Sequence, residues 1–111
     1  MKLKILSSAI EDLESGKRFY ERQGSRVGEY FLDSLLSDID SLVLYAGIHS
    51  RTFGYYRLLS KRFPYAIYYT IEKECAVVWR VLDLRRDPDR IREVLSPTRE
   101  GPDEYGSGKI G

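Results

Sequence analysis

The run Phe63–Pro88, FPYAIYYTIEKECAVVWRVLDLRRDP, does most to limit what this chain can fold into. Tyr65 to Glu72 alternates along a β-type pattern, and Ala76 to Leu84 forms a second run rich in β-branched and aromatic residues. Only a Glu-Lys-Glu turn separates them. Parallel strands need a crossover of a dozen or more residues, so a connection this short makes the pair antiparallel. The run ends in Arg85 and Arg86 followed at once by Asp-Pro, where a plain hairpin would more often close on neutral residues. The doubled arginine therefore needs a structural partner or a target.

The rest of the chain supplies a cover for that sheet. KLKIL (residues 2–6) alternates like a half-buried strand. Ser8 with Glu11 three positions later has the form of a capping box, opening a helix to about Arg22 with Ala9, Leu13 and Tyr20 on one face and Phe19 beside them. After a glycine-bearing break, a second helix is predicted from about Gly28 to Ala46. Its inward stripe is Phe31, Leu35, Ile39, Leu42 and Ala46, with Asp33, Asp38 and Asp40 off it and Gly47 closing it. YYRLLS reads as a first central strand, and Pro64 tolerably opens the next. Asp87 before Pro88 suits the N-cap of a short helix, DRIREVL. The order β-α-α-β-β-β-(α) predicts an α+β fold in which an antiparallel helical hairpin packs on one face of a mainly antiparallel sheet. Residues 1–96 form the domain, and residues 97–111 read as a flexible tail.

Composition narrows the function classes. No stretch approaches the roughly 18 apolar residues of a membrane span, and the N-terminus has no apolar signal-type core. One cysteine and one histidine argue against a disulfide framework and against a metal site, and no cofactor motif is present. A cytoplasmic protein is expected. The net charge of +1 conceals an asymmetry, because residues 51–99 hold 11 Lys/Arg against 6 Asp/Glu. A localised positive field points to an acidic partner.

The face assignment follows from alternation. Val77, Trp79 and Val81 are expected to face the helices with Tyr65, Ile67, Tyr69, Ile71, Tyr56 and Leu58. Val78, Arg80 and Leu82 then face outward with Ala66, Tyr68, Thr70, Tyr55, Arg57 and Leu59. Arg57, Tyr68 and Arg80, with Arg85 and Arg86 at the sheet end, form the expected target-binding set, since arginines interleaved with aromatics bind phosphates and bases or a protein partner. Leu59, Val78 and Leu82 form an apolar set ringed by arginine, suited to an acidic amphipathic peptide. Trp79 reads as core, His49 as loop surface, and Lys61 and Arg62 as solvated. Cys75 beside Glu74 has no histidine near it in sequence and does not read as a nucleophile.

FLDSLLSDIDSL, YYRLLSKRFPYAIYY and VLDLRRDP together resemble the second helix, the arginine-bearing strand with its hairpin, and the closing arginine motif of RelE/ParE superfamily toxins. The resemblance covers most of the chain and sits closer to the ParE-like side. It implies a growth-inhibiting toxin of a bacterial type II toxin–antitoxin module, of the plasmid-stabilisation kind, neutralised by a cognate antitoxin. It also implies one of two targets: DNA gyrase for ParE-like members, or ribosome-bound messenger RNA, cut by RelE-like members. For a nuclease the candidates are Arg57 and Arg86, which match basic positions of the family, together with Arg80 on the same sheet face. Two departures weigh against cleavage. Ala66 stands where the nucleases have a central-strand arginine, and DRIREVL lacks their C-terminal tyrosine. Asp83 replaces a frequent histidine and would repel phosphate unless an arginine pairs with it. A homologue that keeps only the antitoxin-binding surface is the third reading.

Overall fold

The computed structural model describes residues 1–96, so the tail and Tyr105 lie outside the described residues. Strand β1 (Lys2–Ile5) leads into α1 (Ser7–Glu21) and α2 (Ser25–Asp40), with a short α3 (Leu42–Tyr45). Strands β2 (Arg51–Thr52), β3 (Tyr55–Leu59), β4 (Tyr65–Glu72) and β5 (Cys75–Asp83) follow, and α4 (Pro88–Leu95) closes the domain. The sheet order is β1-β5-β4-β3-β2, antiparallel except where β1 runs parallel to β5. The connection between that parallel pair is long, running through the helical hairpin and then β2, β3 and β4. The α+β architecture expected from the sequence is the observed one. The edge strand β2 lies in the segment read as loop.

The second helix starts three residues earlier than predicted, because Gly28 is a contact point rather than a break. A Cβ there would lie 2.4 Å from Glu21 Cγ and 3.0 Å from the Lys17 carbonyl oxygen, so glycine is what lets α1 and α2 approach. Gly16 does the same from α1, where a Cβ would lie 2.4 Å from Phe31 Cζ. Phe31 cannot easily yield, being stacked among Tyr20, Phe63 and Tyr65 with ring centroids about 5 Å away. Asp38, expected outside the core, is buried. Its Oδ2 accepts from the Ser60 hydroxyl at 2.8 Å and the Lys61 N–H at 3.3 Å, tying α2 to the β3–β4 turn.

The face assignment holds for β3 and β4 and fails for half of β5. Tyr68 pairs with Arg80 but Tyr69 pairs with Val78, so Trp79 is an extra residue and β5 carries a bulge. A bulge reverses the side-chain alternation. Before it, Ala76 and Val78 face the helices; after it, Val81 does. Val77 and Trp79 therefore lie on the opposite face, and Val78, expected outside, is 0% exposed in the helix-side core. The bulge also accounts for the missing capping box. The α1 N-terminus has no side-chain cap, and Ser8 instead donates its hydroxyl to the Trp79 carbonyl at 2.6 Å.

The second sheet face is partly covered. Leu95 of α4 is buried with Tyr55, Ala66 and Tyr68, and Ile91, Leu82 and Leu84 pack at the margin. As predicted, Asp87 caps α4, accepting the Asp89 N–H at 3.0 Å, with Pro88 in the first turn.

His49 is held to the sheet. Tyr69 Oη accepts the Gly47 N–H at 2.9 Å and lies 2.5 Å from His49 Nδ1. The Gly47 N–H takes one lone pair of the oxygen, and a neutral imidazole makes the remaining bond in either tautomer, with Nδ1 as acceptor or as donor. Burial lowers the His49 pKa in agreement with this. The unfolded chain therefore binds the proton more readily than the folded one. Stability is present above the unfolded value of about 6.5 and is lost as pH falls through it towards the lower folded value. His49 is the chain's single histidine, so urea melts between pH 7.5 and 5.5 should show a fall in stability that His49→Gln flattens. An unchanged slope in His49→Gln would contradict the assignment.

Candidate functional site

β1 is shorter than β5, and its pairing stops at Ile5 opposite Val78. The β5 edge from Trp79 to Asp83 therefore faces α1 instead of another strand. α4 returns beside the same edge, and the three elements enclose a groove of about 470 Å³. Asp12 and Phe19 line it from α1, Arg80 and Asp83 from β5, Arg86 from the connection, and Arg90 from α4.

Asp12 fixes the floor of this groove. Its Oδ2 accepts the Val81 N–H at 2.9 Å and Arg80 Nε at 2.7 Å, while its Oδ1 accepts from the other arm of the Arg80 fork at 2.9 Å. The carboxylate thus substitutes for a neighbouring strand at Val81 and takes both arms of a bidentate guanidinium. The Arg80 pKa is raised, first by the hydrogen bonds to Asp12 and then by its charge, against the opposing effect of burial. Arg80, expected to meet a target, is held in this bidentate pair while its side chain stays 32% exposed on the groove.

Arg85 is used in a similar way. It grips Asp83 through Nε at 2.9 Å and a terminal nitrogen at 2.8 Å, and its own N–H reaches the same carboxylate. The guanidinium lies 5.3 Å from the Phe19 ring centre and 5.8 Å from that of Tyr20. Burial favours the neutral form of Asp83, but the hydrogen bonds and charge of Arg85 outweigh it and the pKa is lowered. Asp83 is therefore the paired aspartate that the sequence required if phosphate was not to be repelled. The partner is Arg85, and Asp87, the other acid near Arg85 in sequence, serves the helix cap.

What remains is Arg86 and Arg90. Both are exposed on the groove, and neither guanidinium makes an ion pair among the described residues. Asp12 and Arg90 were not singled out in the sequence. Asp12 meets Arg80 across 68 positions, which no local pattern reveals, whereas Arg90 sits one turn beyond Arg86 on the helix that Pro88 starts.

The other predicted residues do not join this site. Arg57 is on the second face and donates to Tyr68 Oη at 3.4 Å. Tyr68 is buried beneath α4, so it offers no stacking surface. Ala66 is fully buried in the same cluster as Leu95, so the position of the nucleases' arginine is filled here by packing. Leu59 is exposed, Leu82 lies on the groove wall, and Val78 is on the far side of the sheet, so the three form no common patch. Tyr65 faces the groove, but burial first and Asp83 second push its pKa up to about 12. It stays a phenol near neutral pH and is no base. Among the described residues there is no cluster of His, Cys, Asp and Glu able to hold a metal ion, and no helix is long and apolar enough to cross a membrane.

A five-stranded sheet under a helical hairpin, with a cationic groove at its free edge, defines a small α+β binding domain. The sequence profile described as the ParE toxin of type II toxin–antitoxin systems, parDE, matches residues 3–88, and the chain belongs to that family. No curated protein matches the sequence significantly. Among solved structures it is similar to a chain of a chromosomal ParDE toxin–antitoxin system from P. aeruginosa. The TM-score is 0.70 at 19% identity, over 76% of this chain and 96% of that one. At that identity the likeness speaks for the fold.

Removing Asp12 should be costly, because it leaves the Val81 N–H and the half-buried Arg80 fork without their acceptor. Asp12→Ala is expected to lower unfolding free energy by about 2–4 kcal/mol in urea melts. A loss below about 0.5 kcal/mol would show that the bridge does not hold α1 to β5.

Proposed function

We propose that this toxin inhibits bacterial growth by binding a DNA topoisomerase, most simply gyrase, through the groove between α1, β5 and α4, and that a cognate antitoxin neutralises it. Family membership supports the toxin role. The observation that favours binding over cleavage is the arrangement of the arginines. Arg80 and Arg85 are engaged by Asp12 and Asp83, while Arg86 and Arg90 face solvent on the groove beside Phe19. Two cations without an ion-pair partner among the described residues, next to an aromatic edge and apolar wall, can grip an acidic protein surface or a phosphate. They cannot move a proton.

Cleavage of RNA by its own 2′-hydroxyl needs a base, an acid and a phosphate clamp together, and general acid–base groups contribute typically about 10²–10⁴-fold each. Of the nuclease candidates, Arg57 lies on the other face, Arg80 is engaged by Asp12, and only Arg86 is available. The endonuclease reading therefore has one contributor. A toxin that keeps only its antitoxin surface is disfavoured by Arg86 and Arg90, which have no ion-pair partner among the described residues, since a vestigial groove has no need of them.

The groove reading predicts different outcomes for the two adjacent arginines. Arg86→Ala with Arg90→Ala should abolish growth arrest on induction without antitoxin while leaving the melting temperature within about 2 °C of wild type. Arg85→Ala should act through stability, lowering soluble protein by uncovering Asp83. Undiminished growth arrest in the Arg86/Arg90 variant at equal soluble protein would remove the groove from the mechanism. Messages cut at fixed positions in stalled ribosomes, in an Arg86-dependent way, would establish the endonuclease instead.

A further inference from the structure

α4 covers only part of the second sheet face, over Tyr55, Ala66 and Tyr68. Towards the β4–β5 hairpin the same face forms a cavity of about 630 Å³. Its wall is β5, whose reversal at the bulge leaves Val77 and Trp79 on this side. Lys4 lies opposite Val77 on β1, Leu6 follows it, and Glu72 and Lys73 close the hairpin end. The groove at the other end of β5 shares no lining residue with this cavity.

Lys73 takes φ 58°, in the left-handed region that favours Gly or Asn at a hairpin turn. A lysine there carries a backbone cost and brings its charge to the cavity rim. The Trp79 indole N–H donates to the Thr70 hydroxyl oxygen at 2.9 Å, and that hydroxyl donates to Glu72 Oε2 at 3.1 Å. The relay fixes the ring and the carboxylate two hydrogen bonds apart, the reach of one purine. None of Lys4, Lys73 and Glu72 makes an ion pair among the described residues.

The lining selects the ligand. Small-molecule sites typically enclose about 300–1,000 Å³, and this cavity falls within that range. Two ammonium groups take an anion, and an indole beside Val77 and Leu6 takes a flat ring. Glu72, acceptor-only when ionised, demands an N–H from the ligand. An inorganic phosphate satisfies only the lysines and is repelled by Glu72, and an aliphatic acid leaves Glu72 without a donor. A nucleotide whose base carries an exocyclic amine supplies all three groups. We propose that this cavity binds such a nucleotide, with phosphates on Lys4 and Lys73, the base against Trp79, and its amine donating to Glu72. The site stands independently of the toxin reading and of the groove.

Trp79 is the chain's single tryptophan, so its fluorescence reports directly on this cavity. Titration of the purified protein with ATP should give saturable quenching with a dissociation constant of about 10–300 µM. ITP, which has a carbonyl in place of the amine, should bind at least about tenfold more weakly. Lys4→Gln with Lys73→Asn should weaken ATP binding at least about fivefold, and Arg86→Ala with Arg90→Ala should leave it within about twofold. Thermal melts establish which variants are folded. Should the lysine pair fail to fold, Lys73→Asn serves alone, because its turn position favours asparagine. No saturable change with ATP up to about 5 mM overturns the proposal. So does unchanged affinity in the folded lysine variants, or ITP that binds as tightly as ATP. Tripolyphosphate or an oligoglutamate peptide that matches ATP assigns an anion patch or a protein partner, and overturns it too. Loss of ATP binding in the Arg86/Arg90 variant moves the ligand to the groove and likewise overturns it.

Discussion

One carboxylate joins the two layers of this protein at the place where strand pairing gives out. β1 is too short to accompany β5, and beyond Val78 the free edge must be satisfied by something else. Asp12 does so by accepting the Val81 N–H and both arms of Arg80, with Ser8 taking the Trp79 carbonyl one turn earlier. The groove exists because a helix, not a strand, lies along that edge. α1 stands higher than a strand would and leaves space that α4 closes from the other side. The bulge at Trp79 belongs to the same arrangement, since it reverses β5 so that Val78 and Val81 can both reach the core.

This construction divides the positive charge of the C-terminal half into two kinds. Arg80 and Arg85 are held in bidentate pairs that neutralise Asp12 and Asp83. Arg86 and Arg90 are left to solvent on the groove. Neutralising acids inside a cationic site costs two arginines, but it fixes the geometry of the wall against which the others work. The same packing keeps the Tyr65 phenol from acting as a neutral-pH base, because the burial that orders it also holds its proton.

Much of the fold was legible in the sequence, for reasons that are local. Short turns force antiparallel pairing, and the 3.6-residue recurrence of Phe31, Leu35, Ile39 and Leu42 marks a buried helix face. Asp87-Pro88 starts α4 where expected. The errors share a different cause. A one-residue bulge leaves no compositional trace, yet it exchanged Val77 and Trp79 with Val78. Gly28 looked like punctuation because a close helix–helix approach and a chain break call for the same residue. The groove was half legible: Arg86, named from the sequence, lines it, but the pairing of Arg80 and Arg85 depends on Asp12 and on how Asp83 is oriented, which only the folded chain sets.

The central claim is that the groove cations bind a topoisomerase while the paired arginines hold the fold. Titration of the purified protein into a DNA gyrase supercoiling reaction tests it most directly, with Arg86→Ala as the paired sample. The account predicts dose-dependent loss of supercoiling and accumulation of cleaved DNA with the wild type, and neither with an Arg86→Ala protein of unchanged melting temperature. Full supercoiling at a large molar excess of folded wild-type protein, or equal inhibition by Arg86→Ala, would contradict it.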